Sequence, residues 1–276
     1  MLSTQKCQRW RHGRDLYRPA REPIDPRRYG VELVDEGGAK RFVKEHHYSR
    51  SYPAARLRVG LYRRKAFQRE ALVGVAVFSV PMNESTVDRY AGIPSHAGVM
   101  LGRLVLLDDV EANGETWMLR RAFALLRRYK PEVRAVIAYA DPVPRRTTDG
   151  ALVKPGHVGT CYQAFNGEYR GRSKSRSLIL AANGEVVSER LLSKVRLEER
   201  GRDYAERELL RLGAPRRRLL ESGDAYVRRA LASGGFRRMR HPGNHVYVWT
   251  LDLRGSQERP RGQYPKSPDR EMGEER

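Results

Sequence analysis

Cysteine is nearly absent from this 276-residue chain, with only Cys7 and Cys161 present. Two cysteines are too few for a disulfide framework or a structural zinc site. No apolar run reaches the 18 residues of a membrane-spanning helix, and no long helix pairs a basic face with a large aromatic one. A membrane partner is therefore not expected. The N-terminus carries no hydrophobic signal segment, so the expected compartment is a reducing cytoplasm. Acidic residues are also scarce, 33 against 54 Lys plus Arg, which leaves a formal charge of +21. A field of that strength gathers polyanions, and nucleic acid is the first partner to consider. Apolar residues make up 39% of the chain, enough to bury a core and to exclude a wholly disordered protein.

The two ends are poor in aliphatic residues. Residues 1–30 hold eight Lys or Arg and three prolines and read as a basic arm; residues 254–276 read as a disordered, solvated tail. The span 31–253 between them, the basic helical stretch 190–240 included, reads as a domain of α/β type. Ala39 to Glu45 reads as a short helix running into His46, His47 and Tyr48. Ala71 to Val80, Met100 to Leu107, Arg134 to Ala140, Ser177 to Ala182 and Val246 to Leu253 have the length and composition of strands. A helix is expected from Asn113, placed as its N-cap, to Lys130 before Pro131, burying Leu119, Ala122, Phe123 and Leu126. Asp141 follows the strand 134–140, at the strand end where α/β sheets place ligands.

Several groupings could carry chemistry. Arg170, Arg172, Lys174 and Arg176 recur at every second residue, so an extended chain would project them from one face, about 7 Å apart, toward phosphates. A charged edge strand is the other reading. Residues 190–240, with 15 Lys or Arg against 7 Asp or Glu and including Arg216, Arg217 and Arg218, form either a solvated helical face or a lateral DNA-binding surface. Gly156 to Gln163 gathers two glycines, an imidazole and several hydroxyls, a composition that lets a backbone approach a ligand closely. Cys161 within it is a nucleophile or a small packed side chain. His47, Asp141 and His157 together match the inventory of a two-histidine, one-carboxylate iron site.

Read in order, His46-His47-Tyr48-Ser49, Leu101 to Leu106, Asn113 to Trp117, Tyr139-Ala140-Asp141-Pro142, Gly156 to Gln163 with Asn166 and Tyr169, and His241 to His245 resemble the Mom family of phage DNA-modification proteins. The resemblance covers roughly residues 30–253. It implies a GNAT-like acyltransferase fold, a mixed central sheet flanked by helices. It further implies transfer of an acetamido-type two-carbon unit from acetyl-coenzyme A to the exocyclic amino group of adenine in double-stranded DNA, which would shield the DNA from restriction. Carried over onto the matching positions, His47, Tyr48, Asp141 and Tyr162 are the active-site candidates. Leu104, Val105, Asn113, Gly114, Glu115 and Thr116 are the expected cofactor-binding residues.

Two departures stand out. The Gly-rich pyrophosphate turn of ordinary GNAT enzymes is missing from Leu107 to Thr116, where only helix-start backbone donors are offered to a phosphate. Val143 to Pro155 is inserted between Asp141 and the Gly-His-Val-Gly segment. The chemistry adds a third point. An acyl donor ordinarily reacts through its carbonyl carbon, whereas an acetamido group is attached through its methyl carbon, and a redox metal such as iron would account for the difference.

Overall fold

A computed structural model describes residues 6–11, 14–19, 22–65, 68–252 and 258–266. It has the expected mixed α/β organisation, a central sheet flanked by helices, and it divides into two compact units. The first comprises Met1–Pro142, Gly156–Ser173 and Asn244–Arg276; the second comprises Val143–Pro155 and Lys174–Gly243.

The first unit is built on a seven-stranded sheet. Its strands are β3 (Tyr29–Leu33), β4 (Ala55–Lys65), β5 (Gln68–Ser79), β6 (Gly98–Leu106), β7 (Ala135–Ala140), β10 (Glu168–Arg172) and β14 (His245–Thr250). They run in the order β10-β14-β7-β6-β5-β4-β3. A short ribbon of β1 (Lys6–Arg11) and β2 (Arg14–Pro19) precedes them. All sheet neighbours are antiparallel except β6 and β7. Their parallel pairing covers only Gly98↔Ala135, Val99↔Val136 and Met100↔Ile137. Beyond Met100 the two strands continue without pairing to each other, so the centre of the sheet opens.

Helix α1 (Glu36–His46) forms because Asp35 caps it, accepting from the Gly38 amide at 2.8 Å, and because Ala39, Phe42 and Val43 fall on one face. That face packs on Val75 and Val77 of β5. Helix α2 (Ser85–Ala91) places Val87, Tyr90 and Ala91 against Met100, Ala135 and Ile137. Helix α3 (Gly114–Tyr129) buries Met118, Leu119, Ala122, Phe123 and Leu126 with the alternate residues of the strands, among them Ala76, Phe78, Val136 and Ala138. The period-two alternation of β5 and β7 thus gives α3 one face of the sheet and α1 and α2 the other. The short helix α4 (Thr160–Ala164) completes this unit.

The second unit has a three-stranded sheet, β12 (Val186–Val187), β11 (Arg176–Ala181) and β13 (Phe236–His241) in that order, and a ribbon of β8 (Arg145–Arg146) and β9 (Leu152–Lys154). Helices α5 (Glu189–Arg196), α6 (Arg202–Arg211) and α7 (Gly223–Ala232) share a core of Leu192, Val195, Leu209, Tyr226 and Val227 with Ile179 of β11. Among the described residues no helix is long and apolar enough to cross a membrane.

Where they are described, the expected basic arm and the expected solvated tail both make contacts. In the N-terminal segment Ile24 is buried and pairs with Ala112, amide to carbonyl at 2.9 Å. In the C-terminal segment Gly262 donates to the Tyr169 carbonyl, Tyr264 to the Gly167 carbonyl, both at 2.9 Å, and Gln163 to the Pro265 carbonyl at 3.1 Å. Composition missed these because hydrogen bonds to main-chain carbonyls need no apolar side chains. Residues 254–257 and 267–276 of the expected tail, like residues 1–5, 12–13 and 20–21 of the arm, lie outside the described residues.

Candidate active site

The opening between β6 and β7 is where the first unit gathers its reactive groups. Leu104 and Val105, expected to hold a cofactor, lie on the stretch of β6 that β7 no longer covers, and both are only half-buried. Gly102 sits where β5 and β6 shift register; a Cβ there would come within 2.4 Å of the Ser79 hydroxyl. The next residue, Arg103, points a cation into an otherwise apolar strand.

Arg103 is the site residue that sequence reasoning passed over. Its Nε donates to the Ser51 carbonyl at 2.8 Å, one terminal nitrogen to the Ser51 hydroxyl at 2.6 Å, and the other to the Gly102 carbonyl. Among the described residues no carboxylate lies within ion-pair distance of it. Burial pulls its pKa below the ordinary guanidinium value, and the neighbouring Tyr48 and Tyr162 phenols act in the opposite direction. A guanidinium stays charged even so. The result is a partly desolvated cation whose partners are neutral oxygens, and such a cation favours any negative charge brought beside it. The available signal was a single arginine interrupting the apolar run Val99 to Leu106.

Arg103 acts electrostatically on two of the expected active-site residues, Tyr48 and Tyr162. Tyr48 follows the end of α1, half-exposed, with the His47 ring tilted over it at 4.3 Å. His47 is the C-cap of α1, and its Nδ1 accepts from the Ser49 amide at 3.1 Å with the Ser49 hydroxyl 2.9 Å away. Tyr162 on α4 is buried. Burial pushes its phenol well above the ordinary value, the Cys161 and Tyr48 charges add to this, and Arg103 opposes it. Its ring meets Trp249 edge-on at 5.7 Å and Tyr247 at 5.6 Å. Tyr247 is itself fixed by donating to the Val158 carbonyl at 2.5 Å and by Gln163 at 2.9 Å.

Gly159 explains the glycine requirement of the Gly156 to Gln163 segment. It starts α4 at φ +74°, and a Cβ there would meet Tyr162 at 2.8 Å, Tyr247 at 2.9 Å and Ala140 at 3.1 Å. Only glycine allows the helix to approach β7 this closely. Asp141, directly after Ala140, is buried, and its carbonyl accepts from the His157 amide at 2.9 Å. Asp141 and His157 are thus joined through their main chains.

Other expectations change. Among the described residues no group of three or more His, Cys, Asp or Glu side chains is placed to hold a metal ion, so His47, Asp141 and His157 do not assemble the expected iron site. Asn113 does precede α3, but in left-handed backbone (φ 64°) and without a side-chain capping bond; Thr116 instead donates its hydroxyl to the Asn113 carbonyl at 3.0 Å. Gly114 is buried, while Glu115 and Thr116 open the first turn.

The basic row is also broken. Gly171 takes φ +79° and the ladder slips between Tyr169 and Arg172, so Arg170 and Arg172 end one strand while Arg176 begins another in the second unit, with Lys174 between the two. Arg170 is held in place by Glu168, at 2.5 Å, and by the Tyr90 carbonyl. Arg217 is tied to Glu198 and Glu206. Arg216 and Arg218 flank it, the Arg218 amide donating to Glu221 and the Arg216 carbonyl accepting from Arg229.

Comparison with known proteins places this geometry in context. The family model described as the Mom protein family matches residues 28–266. Methylcarbamoylase mom of Escherichia phage Mu is 27% identical over 147 residues, which are 52% of this chain and 54% of that protein. The chain thus matches about half the length of this curated relative. A solved structure, a tandem GNAT protein from the clavulanic acid biosynthesis pathway without acetyl-coenzyme A, aligns over 64% of this chain and 62% of its own at 10% identity and a TM-score of 0.33.

Proposed function

The chain belongs to the Mom protein family, and from this premise we propose that it modifies adenine in double-stranded DNA, transferring a two-carbon unit to the exocyclic amino group. The phage Mu relative is named a methylcarbamoylase. A methylcarbamoyl unit has two carbons and an amide, the composition of the acetamido group that the sequence motifs imply. The modified base then escapes restriction enzymes.

The observation that carries this reading is the convergence of Arg103, Tyr48 and Tyr162 at the opening of the sheet. An adenine amino group is a poor nucleophile because its lone pair is delocalised, and its pairing edge is hidden in a duplex; the base must therefore be flipped out. The half-exposed Tyr48, backed by His47, offers it a stacking surface. Arg103 stabilises negative charge developing on the oxygen of the transferred unit, the role of a preorganised cation in a dry site. Asp141, buried at the end of β7, accepts the proton released by the amino group. Tyr162, kept protonated by burial, donates a hydrogen bond and does not act as a base.

An acetyl thioester of coenzyme A suits the uncovered stretch of β6, whose main chain offers an unpaired edge, and the start of α3, which no side chain caps. Asp109 and Glu111, which stand where the Gly-rich turn would be, are neutralised by Arg63 and by Arg28 with Tyr29. When bound, that group supplies the activated carbons. It supplies no amide nitrogen, so the mass of the product tells an acetyl from a methylcarbamoyl transfer.

The test is mass spectrometry of nucleosides from DNA of cells that express the parent protein, the Asp141→Asn variant or the Arg103→Gln variant. An adenine nucleoside carrying a two-carbon adduct, whose mass tells acetyl from methylcarbamoyl, should be present with the parent and lost with both variants. Unmodified adenine in every sample, with the parent folded, overturns the reading and leaves a nucleic-acid-binding module. Label from acetyl-coenzyme A in RNA or protein, and not in DNA, overturns it in favour of another acetyltransferase.

A further inference from the structure

The exposed side of α3 takes no part in the site described above. Trp117, Arg120, Arg121, Ala124, Arg127 and Arg128 fall at spacings of three, four and seven, and therefore share one stripe of the helix. The opposite stripe is the buried one. Arg120, Ala124, Arg127 and Arg128 are exposed and Arg121 is half-buried, its guanidinium stacked 3.6 Å above the Trp117 ring. Among the described residues no carboxylate lies within ion-pair distance of any of these four arginines. Four cations on one helix face with no acid beside them repel one another, and Arg120 pulls the pKa of Arg121 further below the ordinary value after burial has lowered it.

An open groove runs along each flank of this stripe. One, of about 800 Å³, is lined by Arg120, Arg121, Arg127, Phe165, Asn166 and Trp249. The other, of about 510 Å³, is lined by Tyr29, Arg64, Trp117, Arg121 and Arg128. Both combine guanidinium groups with aromatic walls, the composition that engages phosphates and stacks bases. The two arginine pairs are seven residues apart, about 10.5 Å along the axis, so each pair meets a different phosphate.

We infer that the outward stripe of α3 is the docking surface for the DNA backbone, with the two flanking grooves receiving its phosphates. This rests on the proposed adenine modification, whose substrate must be held by groups other than the reacting ones. Charge complementarity selects the occupant, since unpaired cations on a rigid helix seek a polyanion. The stripe is also connected to the reaction centre. Trp249, a wall of the larger groove, meets Phe123 at 5.4 Å and Tyr162 at 5.7 Å, so a strand in that groove lies one aromatic ring from the buried phenol. In the second unit, by contrast, Arg211, Arg217 and Arg229 are each occupied by glutamates.

The test compares the full chain with the Arg120→Gln/Arg121→Gln/Arg127→Gln/Arg128→Gln variant, by fluorescence anisotropy of a labelled DNA duplex across a series of salt concentrations. The slope of log affinity against log salt should fall by about 0.9 for each phosphate that is no longer neutralised, hence by about 2–4 overall. The Arg172→Gln/Lys174→Gln/Arg176→Gln variant should lower it less. If the quadruple variant is unfolded by circular dichroism, Arg120→Gln/Arg127→Gln, which changes only exposed side chains, replaces it with an expected fall of about 1–2. An unchanged slope in a folded variant overturns the inference, as does a larger effect from the Arg172 set. Preference for an RNA duplex of the same sequence overturns the choice of DNA. Nucleoside masses report separately on the modification, so a parent that binds steeply and leaves adenine unchanged refutes the proposed activity alone.

Discussion

Arg103 and Ser51 are joined twice, main-chain carbonyl to Nε at 2.8 Å and hydroxyl to a terminal nitrogen at 2.6 Å. This fork ties the loop after α1 to the uncovered stretch of β6. It also holds the guanidinium within electrostatic reach of the Tyr48 and Tyr162 phenols, so one residue both closes the loop and charges the site.

A lysine cannot reproduce the fork, because its ammonium is a point charge on a flexible stem. Arg103→Lys is expected to lower adenine modification about 10²–10³-fold, the usual effect of losing one preorganised donor. Ser51→Ala keeps the carbonyl acceptor and should cost about tenfold or less on the same scale. Rates of nucleoside modification by the purified variants decide this; equal rates for Arg103→Lys and the parent would remove Arg103 from the chemistry.

Gly159→Ala combines a left-handed φ with a Cβ 2.8 Å from Tyr162 and 2.9 Å from Tyr247. Strain of this kind costs on the order of 1–3 kcal/mol. For a chain of this size each kcal/mol lowers the melting temperature by about 2–4 °C. The variant should therefore melt several degrees lower, and displacement of Tyr162 should reduce modification even below that temperature. An unaltered melting curve would show that the close approach is not required.

Alkaline stability follows from two phenols. Burial raises the pKa of Tyr162 and of Tyr247 above 10.0, so the folded state keeps protons that the unfolded chain releases. Stability from these groups is complete below about pH 10 and declines as pH rises beyond it. Tyr162→Phe removes one of them, so its melting temperature should fall less steeply than the parent's above that pH. Parallel curves would exclude Tyr162 as a contributor.

Acid stability has its own marker in the second unit. Hydrogen bonds from Arg229, then from the Arg218 amide, lower the pKa of Glu221 from 4.5 to about 2. The folded state therefore holds Glu221 ionised where the unfolded chain protonates it, and that contribution is present above pH 4.5 and lost toward pH 2. Glu221→Gln should melt lower at neutral pH and show a flatter pH dependence through this window. A variant as acid-sensitive as the parent would place the dependence elsewhere.

The elements readable in the sequence were those with one apolar face and a clear period. Phe42 and Val43 announced α1, Leu119 to Leu126 announced α3, and the near-continuous apolar runs of β5, β6, β7 and β14 announced the middle of the sheet. β4 and β13 were hidden by arginines: Arg56, Arg58, Arg63 and Arg64 in the one and Arg237, Arg238 and Arg240 in the other break the apolar signal, although the alternate residues of β4 are buried. Asn113 shows a different failure, since its position before the helix was right and its capping role was not, a matter of backbone angle that residue type does not reveal. Tyr48 and Tyr162 were named from their motifs, whereas their meeting point depended on Arg103, more than 50 residues from either. The arginine stripe on α3 is not legible in the sequence, because whether a surface arginine has a carboxylate partner depends on the fold and not on the local pattern.

The first unit is entered and left at two narrow gates. Where the chain departs after Pro142 and returns at Gly156, the His157 amide closes on the Asp141 carbonyl at 2.9 Å. Where it departs after Ser173 and returns at Asn244, the Ser173 amide closes on the Asn244 carbonyl and the Asn244 amide on the Ser173 hydroxyl, each at 2.9 Å. Both excursions are thus pinched shut at their base by bonds that belong to the first unit. A pinched base makes excursion length nearly irrelevant to the scaffold, because each doubling of a closed loop costs only about 0.6 kcal/mol. The same two gates are therefore natural grafting points: segments of quite different size can be exchanged there while the sheet of the unit that carries Arg103, Asp141 and Tyr162 keeps its register.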